Sequence, residues 1–437
     1  MSVHPRSSSP DVQRAQKRRV GVVGAGVAGL VAAQLLAESQ EVTLFEREER
    51  AGGHACTVDV PLPEGGALAV DIGFMVFNHR TYPRLTQMFA GLGVKTRKSS
   101  MSFSVSDGDQ FEFGGHTPMA LFANPTHLFD LDFLRMVWEH ARFNREARAL
   151  MRSEESPSLR AWLDQCGFSS YFVERLIVPQ ASAVWSADPD QMWTFPARFL
   201  VQFFDNHGML SLFGRPTWMT LVGGSRTYVD AICAGLGDRN VRLGAPVRRV
   251  RRTPDGVEVL VDQGVERFDE VVLACHADEA LALLGDPTQL EAEILGSFAY
   301  QRSELVLHRD DRLLPRRHAA RASWNCHLVD PAPAAPTLTY DLKRLQGLRA
   351  KREILASLNV TDRIDPKKID GAFRLSHPIF TPEAVAAQRR HAEISGARGI
   401  HFAGAYWGWG FHEDGVNSAY RVAEQIELGG LEKATVA

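Results

Sequence analysis

Two groups of residues in this chain have types and spacing that could do chemistry. Gly24, Gly26 and Gly29 in VGVVGAGVAGLVAAQLL follow one apolar strand, and Glu46 ends a second, EVTLFE, seventeen residues beyond Gly29. A strand, glycine turn, helix and strand closed by an acid holds a dinucleotide by its diphosphate and adenosine ribose. Gly24 permits the tight turn, Gly26 admits the pyrophosphate to the backbone, Gly29 lets the helix lie close on the sheet, and Glu46 accepts from ribose hydroxyls. The second group lies in GIHFAGAYWGWGFHEDGVNSAYRVAEQI, where Tyr406, Trp407, Trp409, Phe411 and His412 make one loop aromatic. Large rings pack against a planar ring system. His412 reads equally as a proton carrier or as a histidine donating one loop hydrogen bond.

The elements that must position these residues come from separated stretches. Residues 1–18 are polar, rich in Ser, Pro and Arg, and read as a disordered leader without the apolar run of a signal peptide. Residues 19–78, 219–296 and 379–432 are assigned to the nucleotide domain, and 79–218 with 297–378 to a substrate domain. TLVGGSRTYVDAICAGL puts Gly223 and Gly224 before an amphipathic helix. The following VRLGAPVRRVRR and VEVLVDQGVERFDEVVLACHA fit a β-meander that feeds an apolar strand back into the parallel sheet. Near the C-terminus a short strand, 400–403, precedes the aromatic loop and a final helix from about Val416. The substrate domain is helical in DFLRMVWEHARFNREARAL and SLRAWLDQCG and has strands in ELVLH and PTLTY. Pro331, Pro333 and Pro336 mark a surface loop.

At 437 residues the chain can form two domains, and 45% hydrophobic with 23% charged residues is ordinary for a globular protein. The formal charge of -3 announces no nucleic-acid partner. No stretch outside the glycine-interrupted nucleotide run reaches membrane-spanning length without charge. The cysteines, Cys56, Cys166, Cys233, Cys275 and Cys326, are dispersed and odd in number, which fits free thiols in a cytoplasmic protein. No metal site is expected.

EREERAGGH places Gly52 and Gly53 just after the ribose acid, and VDIGFMVFN follows with Asp71 and Gly73. At these residues the chain resembles the flavoprotein amine oxidase superfamily, whose members continue the acid into an arginine and a glycine pair and bind FAD. Arg50, Gly52 and Gly53 match that continuation, with His54 where those oxidases usually carry arginine. The resemblance implies an α/β fold: a Rossmann-type FAD-binding domain assembled from discontinuous segments, with a mixed α+β substrate domain. It places the strand at Val247 near the adenosine portion and Gly404 at a strand end facing the cofactor, with Ala405 where an acid is expected. It also puts Gly415 and Val416 at a helix start facing the flavin pyrimidine, and Tyr406 and Trp407 in an aromatic pair beside the ring. Many such enzymes hold a water near flavin N5 with a lysine, but no lysine occurs here between Lys98 and Lys343. A single glycine fingerprint argues against a second, nicotinamide-binding domain.

VDIGFMVFNHRTYPRL, MSFSVS, VPQASAVWSADPDQMWTFPARF, FFDNHGMLSL and GFHEDG are similar, more narrowly, to bacterial NAD/FAD-binding amine-oxidase-like proteins associated with cyclopropane-fatty-acyl-phospholipid synthases. That resemblance implies FAD-dependent dehydrogenation of a methyl-branched, cyclopropane or unsaturated fatty acyl group, carried on phospholipid or free, with His412 as base and Glu413 as its partner. The aromatic and apolar density around Trp185, Trp193, Phe195, Phe199 and Phe203 suits an acyl pocket, and a helical core explains the same residues. Two alternatives stay open: a flavin amine or polyamine oxidase, and a non-catalytic flavoprotein partner of a lipid-modifying methyltransferase or synthase. A lipid substrate also implies peripheral contact with the inner membrane face. The candidate surface is 118–148, where Met119, Leu121, Phe122, Leu128, Phe129, Phe133 and Met136 lie near Arg135, Arg142 and Arg145. The same residues would serve equally as substrate-domain core.

Overall fold

RVGVV forms the strand Arg19–Val23, buried from its second residue on, as a central parallel strand covered on both faces requires. It pairs in parallel with Glu41–Phe45 on one side and Glu270–Leu273 on the other, so that Val23 lies opposite both Phe45 and Leu273. Val241–Arg242 and Ile400–Phe402 complete a five-stranded sheet. The computed structural model describes residues 17–185, 190–211, 214–328 and 337–436. Most of the expected leader and the whole loop from Asp330 to Pro336 lie outside the described residues.

Helix α1, Val27–Leu36, packs against this sheet together with the C-terminal helix, His412–Val436. Leu30 and Val31 share one apolar cluster with Val416, Ala419 and Val422. The C-terminal helix begins one turn before the expected Val416. Its start is fixed by the Phe411 carbonyl, which accepts the N–H groups of Asp414 and Gly415, while the Asp414 carboxylate takes the Phe411 N–H. An acidic side chain reaching back three residues is half of a capping box. The meander forms as an antiparallel sheet of Val247–Thr253, Gly256–Val261 and Gly264–Phe268, and the chain then enters the parallel sheet at Glu270.

The second layer is a seven-stranded sheet in the order Ile369–Pro378, Tyr300–His308, Leu355–Leu358, Leu338–Asp341, Trp324–His327, Phe103–Ser106 and Glu112–Gly114. Helices between residues 118 and 206 supply much of its core, with Phe133, Phe143 and Phe172 in one cluster with Leu305, Leu307 and Ala356. α2, Pro83–Gly91, departs from the expected division at residue 78. It puts Leu85 and Phe89 into the nucleotide-domain cluster with Leu30 and Tyr228. Asp71 ties the layers together: its carboxylate accepts from the Ser225 N–H and from the Thr57 and Ser225 hydroxyls, and its N–H donates to Gln346. Burial raises the Asp71 carboxyl above its ordinary range, against the pull of these donors.

Candidate active site

The glycine turn sits where the first strand gives way to α1. Gly24 has φ +101, a conformation that favours glycine, and its N–H donates to the Phe45 carbonyl at 2.8 Å. A side chain on Gly29 would overlap the Gly24 carbonyl oxygen, so helix and turn touch directly. Gly26 differs. A Cβ there would meet nothing within 4 Å, and α1 has no side-chain cap at its start. The positive end of α1 therefore opens onto free space, the arrangement that receives a phosphate.

Gly52 and Gly53 close one side of this space. The Gly52 N–H donates to the Ala25 carbonyl at 2.8 Å, and a Cβ on Gly53 would lie 3.2 Å from Gly26 Cα. Glu46 accepts the Ala25 N–H through Oε2 at 2.7 Å and the Glu48 N–H through Oε1 at 3.0 Å, which fixes its carboxylate and leaves one acceptor site on each oxygen. Arg50 turns onto its own loop: its guanidinium donates to the Gly53 carbonyl at 3.0 Å and thus shapes the glycine pair. Val247 opens the meander just after Gly244 and Ala245, whose N–H groups donate to the Glu48 and Glu46 carbonyls, so its strand starts beside the ribose acid.

At the far end, the Gly404 N–H donates to the Ser418 hydroxyl at 2.8 Å, joining strand end to helix. A Cβ on Gly415 would lie 2.8 Å from Val27 Cγ1, so the starts of the two helices converge. Val416 is fully buried and can face a cofactor only through its backbone.

The aromatic loop divides in a way the spacing did not reveal. Tyr406 and Trp407 occupy a short 3-10 turn and pack inward, with their ring centroids 5.0 and 5.3 Å from that of Phe298. Both belong to the cluster around Val23 and Phe45, so they are part of the nucleotide-domain core and do not stand free as a substrate cage. Trp409 and Phe411 are the rings that face the second domain. Trp185 donates its indole N–H to the Trp409 carbonyl at 3.1 Å, and Phe411 stacks on Phe203 at 4.9 Å.

His412 stacks on Phe74 with ring centroids 3.8 Å apart, and its Nε2 is buried without a partner. Burial pushes its pKa down to about 3. It is neutral at ordinary pH and a poor proton acceptor, which corrects its assignment as base. Glu413 is no partner to it: the carboxylate accepts the Arg84 and Leu85 N–H groups at 2.9 and 3.0 Å, at the start of α2. Asp414 is held inside the loop, where burial raises its pKa to about 7 against the N–H donors of Phe411 and Trp409.

The structure also gathers a cluster of histidines of which the sequence singled out only His54. His54, standing where arginine was expected, lies 5.2 Å from His377 and 6.1 Å from His276 between ring centroids, and His276 stacks on Tyr300 at 4.3 Å. His54 Nε2 and His377 Nδ1 are buried and unpaired. Burial, reinforced by the neighbouring imidazoles, holds His54 well below its ordinary pKa and His377 at about 4. The Phe74 N–H donates to the His54 carbonyl at 2.8 Å, which links this cluster to His412.

The sequence profile described as flavin containing amine oxidoreductase matches residues 27–303. The chain belongs to that family. Its dinucleotide is FAD, and the residues fit it: an open glycine cradle at a helix start, a fixed acid for the ribose, and unpaired imidazole nitrogens at His54 and His412. Among curated family relatives, AofH of Mycobacterium tuberculosis strain H37Rv, named as a candidate flavin-containing monoamine oxidase, is 28% identical over 284 residues, covering 61% of this chain and 59% of AofH. The chain thus spans little more than half of that relative's length. Cyclohexylamine oxidase from Brevibacterium oxydans IH-35A superposes with a TM-score of 0.66 at 17% identity, covering 94% of this chain and 100% of that one. The CLA-producing fatty acid isomerase from P. acnes superposes at 0.67 with 14% identity, covering 96% and 99%. Likeness at these identities shows the shared two-domain flavoprotein fold.

Proposed function

We propose that this protein is an FAD-dependent oxidoreductase acting on an apolar monoamine. The observation that carries this reading is an aromatic wall flanked, among the described residues, by carboxylates that are already engaged. Trp409 and Phe411 lie against Phe199 and Phe203, while the nearby carboxylates of Glu413 and Asp414 are both bound to backbone N–H groups and held toward their neutral forms by burial. A polyamine needs an anionic contact for its second ammonium, and neither carboxylate is available to give one. AofH and cyclohexylamine oxidase, both named for amines, support the amine over other donors.

FAD, when bound, supplies the hydride acceptor. The chain contributes position and environment. Gly26 and the start of α1 would hold the diphosphate, and Glu46 would hold the ribose. The start of the C-terminal helix, at His412 to Gly415, would offer the positive end of a dipole to developing negative charge. The rings of Trp409 and Phe411 exclude water and favour the uncharged amine, the form with an electron pair to release. Neutral His54, His276 and His377 add no positive charge to repel the ammonium form as it enters.

Oxidation of a fatty acyl chain is the second reading, within a lipid-modifying pathway shared with a synthase of the cyclopropane type. The continuity of the aromatic wall with Trp185, Phe195 and Phe199 favours it, since such a surface accepts methylenes. The fatty acid isomerase likeness lends it the fold. Anaerobic mixing separates the readings. An apolar cyclic or aromatic monoamine should bleach the flavin about tenfold or more faster than putrescine. Bleaching by branched or cyclopropane acyl lipids with no response to amines would overturn the amine reading.

A further inference from the structure

We propose that the outward face of residues 119–145 docks this protein onto an anionic phospholipid bilayer. The apolar side chains here fall into two sets. α4, Leu131–Arg152, buries Phe133, Met136, Phe143, Ala147 and Leu150 in the second-domain core. Its other face would be polar if it met only water. Instead Leu131 is 80% exposed and Trp138 60%, preceded by Phe129 at 86%, Leu128 at 51% and Met119 at 74%. Half of the large apolar side chains exposed on the described surface lie within residues 119–138, with Leu134 completing them.

Spacing places the positive charge on the same stripe. From Leu131, steps of four and three residues reach Arg135, Trp138, Arg142 and Arg145, so leucine, tryptophan and arginine share the outward side of α4. The Arg142 guanidinium lies 5.5 Å from the Trp138 ring centroid and 4.2 Å from that of Phe168, and Arg145 is largely exposed beside Glu146. On the acidic side, Asp132 is exposed but lies off the arginine stripe, the Asp130 carboxylate is engaged by the N–H groups of Asp132 and Phe133, and Glu139 is buried, paired with Arg135 and accepting from Ser169. Apolar tips and a ring followed by arginines match the headgroup and acyl boundary of an anionic bilayer. Phe129 projects from the turn between the 3-10 helix Pro125–Leu128 and α4, Leu131 from the first residue of α4, and α3, Pro118–Leu121, carries Met119. Projecting tips suit a deformable lipid interface better than a protein partner, which would need a recess for each. No described helix is long and apolar enough to cross a membrane, so the contact is interfacial. The inner side of α4 belongs to the same cluster as Phe203, on which Phe411 stacks, so the docking face and the aromatic wall are joined through one core.

The test is flotation of the full FAD-loaded chain with vesicles of phosphatidylcholine alone and of phosphatidylcholine mixed with phosphatidylglycerol. Binding should require the anionic lipid and weaken as salt rises. Phe129→Ser with Leu131→Ser should lower partitioning about tenfold or more, and Arg145→Glu should lower it further, with flavin content unchanged. Val265→Ser with Leu428→Ser removes exposed apolar groups elsewhere and should leave partitioning unaltered. The proposal is overturned if the protein never co-floats at low salt, or if the Phe129 and Leu131 changes leave binding intact. It is also overturned if those changes turn a dimer into a monomer without affecting vesicle binding, since the face would then be a self-association surface.

Discussion

Glu413 and His412 show at residue scale why a motif can be recognised and its roles still misassigned. Adjacent residues on a helix point in different directions, so one stacks on Phe74 while the other reaches α2. Gly24, Gly26 and Gly29 were legible because their roles are local to one turn, and Glu46 because it directly follows the strand that pairs beside that turn. The histidine cluster was not, because His54, His276 and His377 come from three distant segments and none has a spacing that announces the others. Asp414 carries a pH prediction. Its carboxyl is raised from 3.8 to about 7, so the folded chain keeps a proton that the unfolded chain has released between those values. The contribution of Asp414 to stability is therefore fully present below the ordinary carboxyl range and is lost as pH rises through about 7. Asp414→Asn keeps an acceptor for the Phe411 N–H and removes the titration. Urea midpoints measured from about pH 5 to 8 should slope downward in the native protein and less steeply in the variant, and equal slopes would refute the assignment.

The elements were legible where pattern and partner coincide. The meander declares both its period and its neighbours, because short alternating strands joined by tight turns pair with the next strand along the chain. α2 declared only a buried face. An amphipathic helix does not say which core it joins, and here the choice is fixed by Glu413, which occupies the N–H groups at its start from the C-terminal helix. Glu413→Ala should therefore cost about 2 kcal/mol by leaving those donors unpaired in a buried setting. Glu413→Gln, which retains one acceptor, should cost less. Equilibrium denaturation distinguishes the two, and a neutral alanine variant would mean that α2 is held by packing alone.

For the whole molecule, the nucleotide domain is built from segments at both ends and the middle of the chain, and the cofactor cradle lies where they meet: Gly26 from the first, Gly53 from the next loop, and Gly415 from the last helix. Binding to folded chain alone raises stability in proportion to the logarithm of free ligand, so FAD should act as a tie between these segments. Gly26→Val separates this effect from folding. Its φ of -71 suits any residue and its surroundings are empty, so the variant should fold, while the added side chain fills the diphosphate space. The decisive measurement is the thermal midpoint of flavin-depleted protein titrated with FAD. The native chain should rise steadily with FAD and recover the flavin spectrum, and Gly26→Val, with the same secondary structure, should stay flat and colourless. A Gly26→Val chain that gains flavin and stability as the native chain does would contradict the placement of the cofactor, and with it the reading of the site as an FAD-dependent oxidoreductase centre.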